Sequence, residues 1–481
     1  MKKGQVSHGL NTKGRNKDKK IKFWASYRKT NGQSAFKIEP ALLQDYLVEN
    51  KYRRLTSFGE IQTVHLINNI AYLKTKQEVF NDCLALVKQQ ESDELRNCFI
   101  KEGEAFLISK QAILGSLPEI ELQQYRDQKN TVRLFYIDKI VIIKRNKIKV
   151  QSYSKFNKGS KYILSKKIIQ RNYIKADNKI ADFERFLSFA TNDKEHLLSV
   201  VCTLGYLISS YKNPSIANAV IITDILSQVR NEAFGRSGKG LLIKALSYMI
   251  MVVEYNGKVT DLTNDKFVFQ NVDIATALIV LQDVTKGFLF ESLFSTLTDN
   301  MSIERKHRNK ISIPFFQSPK VALTTNYTIP QDTDSFKDRK HLLTLNNFFN
   351  AQNKPEKHFK KLLFEWNVIE WARFDAFMIK CVQMFLKKGL VKYDNSDLKL
   401  QKLINITSKE FVELMESDYD ELNTYWRLKK IAEMMQVGTK EVRSRSKIVS
   451  KWMEAYAAFK GYKIDKRESG GIVKIAFVND S

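Results

Sequence analysis

Cysteine and proline are scarce in this chain: 4 and 7 residues out of 481. Cys83, Cys98, Cys202 and Cys381 lie far apart, with neither zinc-ligand nor redox spacing. That argues against a disulfide framework or a cysteine-built metal site, and for buried free thiols in a reducing compartment. The 6 histidines form no metal-binding cluster either. No apolar run approaches the ~20 residues of a membrane-spanning helix. Residues 1–22 are polar and lack the apolar core of a secretory signal. Few prolines, 27% charged residues and 43% hydrophobic residues exclude global disorder and leave enough apolar material for a sizeable core. The first 180 residues contain no Asp-x-Asp pair, which argues against two-metal primer synthesis there.

Positive charge is what the chain has in excess. Lys and Arg number 79 against 52 acids, a net +27. Such an excess repels itself unless a polyanion is the partner, and nucleic acid fits best. A membrane surface would call for a basic amphipathic helix with bulky apolar residues opposite, and none stands out. A merely lysine-rich composition is the alternative.

The length suggests roughly three domains. Residues 1–20 read as a disordered basic arm, either a solvated tail or a nonspecific phosphate contact. Residues 21–180 read as a mixed α/β domain. Its elements are a helix at Leu42–Val48, a strand at Gln62–Ile67 before an Asn68-Asn69 turn, a helix at Thr75–Lys88, and strands within Leu134–Val150. The basic segment Lys155–Arg171, interleaved with Tyr153, Phe156 and Tyr162, is either an exposed linker or a strip that stacks and grips a nucleic-acid strand. A helical stretch follows over about 180–211.

Strands alternate with helices over about 215–350, which predicts a parallel three-layer α/β domain. Beyond 355 the chain turns helical. Helices near Lys430–Met435 and Lys440–Lys460, then strands Tyr462–Lys466 and Val473–Phe477 around Ser469-Gly470-Gly471, outline a winged helix. Arg443, Arg445 and Lys447 in its second helix are candidate contacts to double-stranded DNA.

Three segments carry the chemistry. Gly235-Arg236-Ser237-Gly238-Lys239-Gly240 is a glycine-rich turn before a helix. Glycines let successive N–H groups point at one anion, the helix start adds its dipole, and Lys239 would reach the β- and γ-phosphates. The apolar run Ala277–Leu281 ends in Gln282-Asp283, where a carboxylate can serve Mg²⁺ and the attacking water. Val321–Thr325 ends in Asn326, placed to sense a γ-phosphate.

With Ile303–Lys310, Ser318–Tyr327 and Asp338-Arg339, this block resembles the superfamily 3 helicases of viruses, phages and plasmids, especially the poxvirus-type and phage-type primase-helicases. The resemblance covers about 200–350 and implies a P-loop, AAA+-like three-layer ATPase core over 181–354, between the N-terminal α/β domain and a C-terminal helical and winged-helix region at 355–481. It implies ATP and Mg²⁺ as cofactors, a homo-oligomeric ring of the hexameric kind, and single-stranded DNA in the pore. Lys306 and His307 occupy the family's DNA-gripping hairpin, reinforced by Arg308 and Lys310, and Arg339 matches the arginine that a neighbouring subunit donates. A replisome or primase partner, a host-cytoplasmic setting and no membrane association complete the expectation. Two departures stand out. Gly240 replaces a hydroxyl residue and Gln282 an acid, so two oxygen ligands for Mg²⁺ are missing. The alternative is an ATP-binding, weakly hydrolysing initiator or assembly factor.

Overall fold

The computed structural model describes all residues except 1–21, 31–33, 58–59, 111, 121–122, 157–160, 225–235, 286, 307, 328–335, 337, 394–395, 436–441 and 480–481. The expected basic arm therefore lies outside the described residues. By contact the chain divides into two units. The first is Met1–Tyr125 with Tyr153–Lys167; the second is Arg126–Ser152 with Ile168–Ser481.

In the first unit a six-stranded sheet runs in the order Glu119–Ile120, Tyr52–Ser57, Glu60–Ile67, Ile70–Lys74, Lys161–Leu164, Gln123–Gln124. Its central hairpin turns at Asn68 and Asn69, with φ of 48° and 66°. A tight hairpin demands that left-handed pair, and asparagine tolerates it. Helix Lys76–Lys88 starts on a capping box, in which Thr75 and Glu78 satisfy each other's backbone N–H. Phe23, Leu43, Val79, Cys83 and Phe99 form part of the buried core. The basic segment is no open strip. Phe156 is buried edge-on against Tyr125 at 5.3 Å, and Ile163 and Leu164 are buried in a paired strand. These apolar positions serve the core and are unavailable to nucleotide bases.

The second unit is built on five parallel strands. Helices α1 (Asp182–Phe189) and α2 (Lys194–Ile208) precede them. Then come β1 (Ala219–Asp224), α3 (Lys239–Ser247), β2 (Val252–Asn256) and β3 (Leu278–Val284). A two-stranded hairpin follows, β4 (Met301–Arg305) and β5 (Arg308–Ile313), and then β6 (Lys320–Thr325) and β7 (Lys340–Leu345). The sheet order is β2-β3-β6-β1-β7, and every pairing is parallel. The apolar runs of β1, β3 and β6 are what such strands require, because both faces are covered. Val220, Ile222, Val280, Ala322 and Leu343 pack into one cluster with α1, α2 and α3. The alternate residues Ile221, Ile279, Leu281 and Leu323 are also buried.

One expected helical stretch is divided. The stretch over 180–211 is two helices, because Asp193 turns its carboxylate onto the N–H groups of Glu195 and His196 and starts a second one. The helix after the glycine turn stops at Ser247, and β-branched Val252 and Val253 already belong to β2.

Helix α4 (Val368–Lys388) shares the sheet's core, so that core continues past residue 354. Gly205 makes this possible: a Cβ there would lie 2.2 Å from the Cys381 carbonyl oxygen. The strands Thr131–Tyr136 and Lys139–Lys144 also contribute to it, so the contact division runs elsewhere than the boundary expected at residue 180. Arg171 ties this region together. Its guanidinium pairs with buried Asp375, donates to the Tyr248 carbonyl at 3.0 Å and stacks on Trp371 at 4.8 Å.

The C-terminal part has its own core, which includes Phe411, Met453, Tyr456 and Phe477. Its elements are β8 (Trp426–Arg427), α5 (Leu428–Met434), α6 (Val442–Lys460), β9 (Tyr462–Ser469) and β10 (Ile472–Asn479). They form the sheet β8-β10-β9 beside two helices. Cys83, Cys202 and Cys381 are buried free thiols, and Cys98 is half-buried. No helix among the described residues is long and apolar enough to cross a membrane.

Two buried histidines set a pH dependence. His341 on β7 is held to about 4 by burial, with its Nε2 2.7 Å from the Thr203 hydroxyl. Burial also lowers His196, which packs flat on Tyr393 at 4.1 Å. Both rings are neutral in the fold, while the unfolded chain takes up protons below about 6.5. Their contribution is therefore intact above pH 6.5 and lost as pH falls below it, for His341 toward about 4. Thermal melts at pH 7 and pH 5 should show a drop in Tm that shrinks in His341→Asn; an equal drop in both proteins would remove His341 from the account.

Candidate nucleotide site

The site lies at the carboxyl ends of the parallel strands. β1 sits between β6 and β7, so the chain leaves it toward one edge of the sheet and returns on its other side. Such a switch in strand order opens a crevice beyond the strand tips. The glycine turn enters that crevice and runs directly into α3.

Gly238 caps α3 with φ of 101°, and a Cβ there would lie 2.4 Å from the Phe186 ring. Only glycine meets both demands, the left-handed backbone and the close ring. Arg236 is also left-handed, at φ 75°, and its side chain is exposed. Gly240, one residue into the helix, faces open space: a Cβ there would meet nothing within 4 Å. Gly235 lies outside the described residues.

Lys239 is only 8% exposed. Its ammonium donates to the carboxylate of Asp224, at the tip of β1, and to Asn326 Oδ1 at 2.7 Å, beyond the tip of β6. The Ser237 hydroxyl donates to the other oxygen of Asp224. Asp224 is fully buried, and burial pushes its carboxyl upward against the opposing pull of Lys239. A desolvated ion pair holds only when its remaining donors and acceptors are satisfied, and removing one partner typically costs ~3–5 kcal/mol. Ser237 and Asn326 supply that satisfaction. Asp224 was not singled out from sequence; its signal is an acid closing an otherwise apolar run just before the glycine turn.

Asp283 is exposed at the tip of β3 and left-handed at φ 55°. The register of β3 against β6 shifts between Leu281 and Val284. This bulge re-aims the carboxylate-bearing residue. Three side chains brace it. The Asp283 N–H donates to Thr324 Oγ1 at 2.8 Å, the Thr324 hydroxyl donates to Gln282 Oε1 at 2.9 Å, and Gln282 Nε2 donates to Glu254 Oε2 at 2.8 Å. Gln282 is thus a positioning group, and Thr324 and Glu254 were not singled out from sequence. Among the described residues no group of three or more His, Cys, Asp or Glu is arranged to hold a metal ion.

The structure brings Lys239 and Asn326 into contact and sets Asp283 on the adjoining strand tip. Arg339 is elsewhere. Its carbonyl accepts from the Ala219 N–H at 2.8 Å, at the start of β1, and its guanidinium stacks on Phe294 at 4.6 Å. The length of β1 separates Ala219 from Asp224, roughly 16 Å, so Arg339 stands near the opposite end of the sheet.

The expected hairpin is present as β4–β5, with Arg305 opposite Arg308 across the tip. Lys306 is exposed at the tip, 5.9 Å from the Phe267 ring. Arg305 is tied back to the Val272 carbonyl at 3.1 Å, and Lys310 faces Glu304 at 3.7 Å. His307 and the Arg308 side chain lie outside the described residues. In α6, Lys447 is exposed and Arg445 half-buried, and the Arg443 side chain lies outside the described residues.

No family model matches the chain, and no curated protein matches it. Among solved structures it is similar to the apo C-terminal region of NrS-1, with 12% identity over 92% of this chain and 99% of that one, at TM-score 0.42. It is similar to JCV helicase with a bound thiazolopyridine compound, with 17% identity over 50% of this chain and 63% of that one, at TM-score 0.24. A point mutant of Thermotoga maritima RuvB shares 12% identity over 64% of this chain and 96% of that one, at TM-score 0.22. These likenesses are distant, and the reading of the site rests on the chain's own residues.

The two glycines of the turn predict opposite outcomes. Gly238→Ala should lower Tm by several degrees, through a left-handed alanine costing ~1–2 kcal/mol and a collision with Phe186. Gly240→Ser should leave Tm within a degree or two, because its side chain enters open space. Differential scanning fluorimetry on both variants checks the contrast.

Proposed function

We propose that this chain is an ATP-dependent DNA helicase of the replicative, superfamily 3-like kind. One observation carries the reading: a buried lysine at the start of a helix, after a left-handed glycine, hydrogen-bonded to an asparagine beyond the neighbouring strand tip. A triphosphate lying along the turn would meet backbone N–H groups, the helix dipole and Lys239 together. Asn326 would report on the γ-phosphate through the same ammonium. Asp283 would hold Mg²⁺ and orient the attacking water. A single carboxylate with substrate phosphates and water is an arrangement Mg²⁺ accepts, and the exposed Asp283 fits it. Mg²⁺ would supply charge neutralisation at the phosphates.

Arg339 cannot reach its own chain's phosphates from the far end of the sheet, so its role would be exerted on a neighbouring copy. That favours a ring, a hexamer by family resemblance. The hairpin carrying Lys306, His307, Arg308 and Lys310 would line the pore and move single-stranded DNA with the nucleotide state. The C-terminal helices and hairpin would act as a winged helix, with Arg443, Arg445 and Lys447 toward double-stranded DNA. The setting would be replication of a phage, plasmid or other mobile element, with a primase or replisome partner.

One observation favours a second reading, an ATP-binding assembly factor with slow hydrolysis. Gln282 has both ends of its amide committed to Thr324 and Glu254, and Gly240 has no side chain, so neither position supplies an oxygen to the metal.

Turnover in the presence of single-stranded DNA separates the two. Under the motor reading, wild type hydrolyses ATP and Lys239→Ala loses roughly 100-fold of that rate or more, the scale on which one transition-state donor counts. Binding without turnover in wild type supports the assembly factor instead. The hairpin makes a separate claim: Lys306→Ala combined with His307→Ala should weaken single-stranded DNA binding, flatten its salt dependence by roughly one counterion and spare ATP binding. Unchanged affinity and slope in a fluorescence-anisotropy salt series would remove the pore assignment.

A further inference from the structure

We propose that Asp224 is a built-in anion that competes with the nucleotide's phosphate for Lys239, so that it sets the affinity of the site. The inference rests on the nucleotide reading and adds a residue to it. Asp224 is fully buried beneath the glycine turn, at the tip of β1. Both its oxygens are engaged, one by the Ser237 hydroxyl and one by the Lys239 ammonium.

A lysine ammonium has three N–H donors and no acceptor. Asp224 takes one and Asn326 a second, which leaves one for a phosphate. The charges tell the same story. Lys239 would ordinarily present a full positive charge to the phosphates as a point attractor. Here a carboxylate lies directly behind it in a buried region, where screening is weak. An arriving phosphate meets an ion pair rather than a cation, and it also meets repulsion from Asp224. Ser237 transmits the same restraint to the turn, because its hydroxyl ties the loop to the carboxylate.

Neutralising Asp224 while keeping its shape isolates the effect. In Asp224→Asn the single amide oxygen still accepts from Lys239 and the amide NH2 donates to the Ser237 hydroxyl oxygen instead, but the buried ammonium lacks a counter-charge until phosphate supplies one. The variant should melt lower than wild type without ligand. It should bind MgATP roughly tenfold more tightly, the lower end of the coupling between close charge pairs, show a larger ATP-induced rise in Tm, and gain less for MgADP. In the Lys239→Ala background the same change should give no gain.

Isothermal titration of wild type, the two single variants and the double variant with MgATP and MgADP, alongside melts, decides the matter. Equal or weaker ATP binding by folded Asp224→Asn overturns the inference and leaves Asp224 as a structural brace. So does a gain that persists without Lys239, since the effect would then not pass through the lysine. If Asp224→Asn does not fold, Asp224→Ser, which drops the charge and leaves a small hydroxyl, is read the same way. Failure of wild type itself to bind ATP overturns the nucleotide reading and the inference together; wild-type binding without the gain overturns the inference alone.

Discussion

The buried ammonium of Lys239 is the constraint on which the candidate site depends. A positive charge taken out of water must find a counter-charge and enough acceptors, or the fold will not hold it. Those partners come from different places in the sequence: Asp224 from β1 and Asn326 from beyond β6. The parallel sheet is what brings them together. Ile222 stands opposite Thr324 across the β1–β6 pair, so residues two further along each strand emerge at the same level. Moving either strand by one residue would turn its tip residue away from the crevice. The apolar runs of both strands fix that register through the core on both faces.

A second constraint acts one strand over. Asp283 adopts a left-handed backbone at a break in the ladder, which costs energy that its surroundings must supply. They do so through Thr324, which accepts from Asp283 and donates to Gln282, and through Glu254. The hydroxyl of Thr324 thus links the strand of Asn326 to the bulge of Asp283. An acid at position 282 would repel Glu254 across that same contact, whereas the Gln282 amide bonds to it. The departure from the family pattern at 282 therefore fits this chain's own neighbour on β2.

Much of this architecture was legible in sequence because it depends on local pattern. Continuous apolar runs marked β3 and β6, and two asparagines marked the first unit's hairpin. The lysine, the acid and the asparagine of the site stood at strand and helix ends, where functional groups collect. What was not legible depends on partners distant in the chain. Asp224 reads as a strand terminus until Lys239 is folded onto it. Phe156 reads as a stacking aromatic until Tyr125 buries it. The extent of the core past residue 354 rests on Gly205 meeting the Cys381 backbone, and a lone glycine in a helix carries no such message. Nor does periodicity reveal that Thr131–Ser152 packs with the later unit.

Under the proposed function, the position of Arg339 bears on assembly. Its guanidinium is stacked on Phe294, and its backbone is pinned to the start of β1, so it is held in place before any partner arrives. Holding a cation in advance lowers the entropy lost when it later meets an anion. Yet the crevice of its own chain lies beyond the far end of the sheet. A pre-placed arginine at one end and an incompletely cationic phosphate site at the other are complementary features. In the proposed ring, the arginine of one copy would face the phosphates of the next. Under that proposal, the charge withheld from Lys239 by Asp224 would be supplied by the neighbour, and nucleotide affinity would be coupled to assembly.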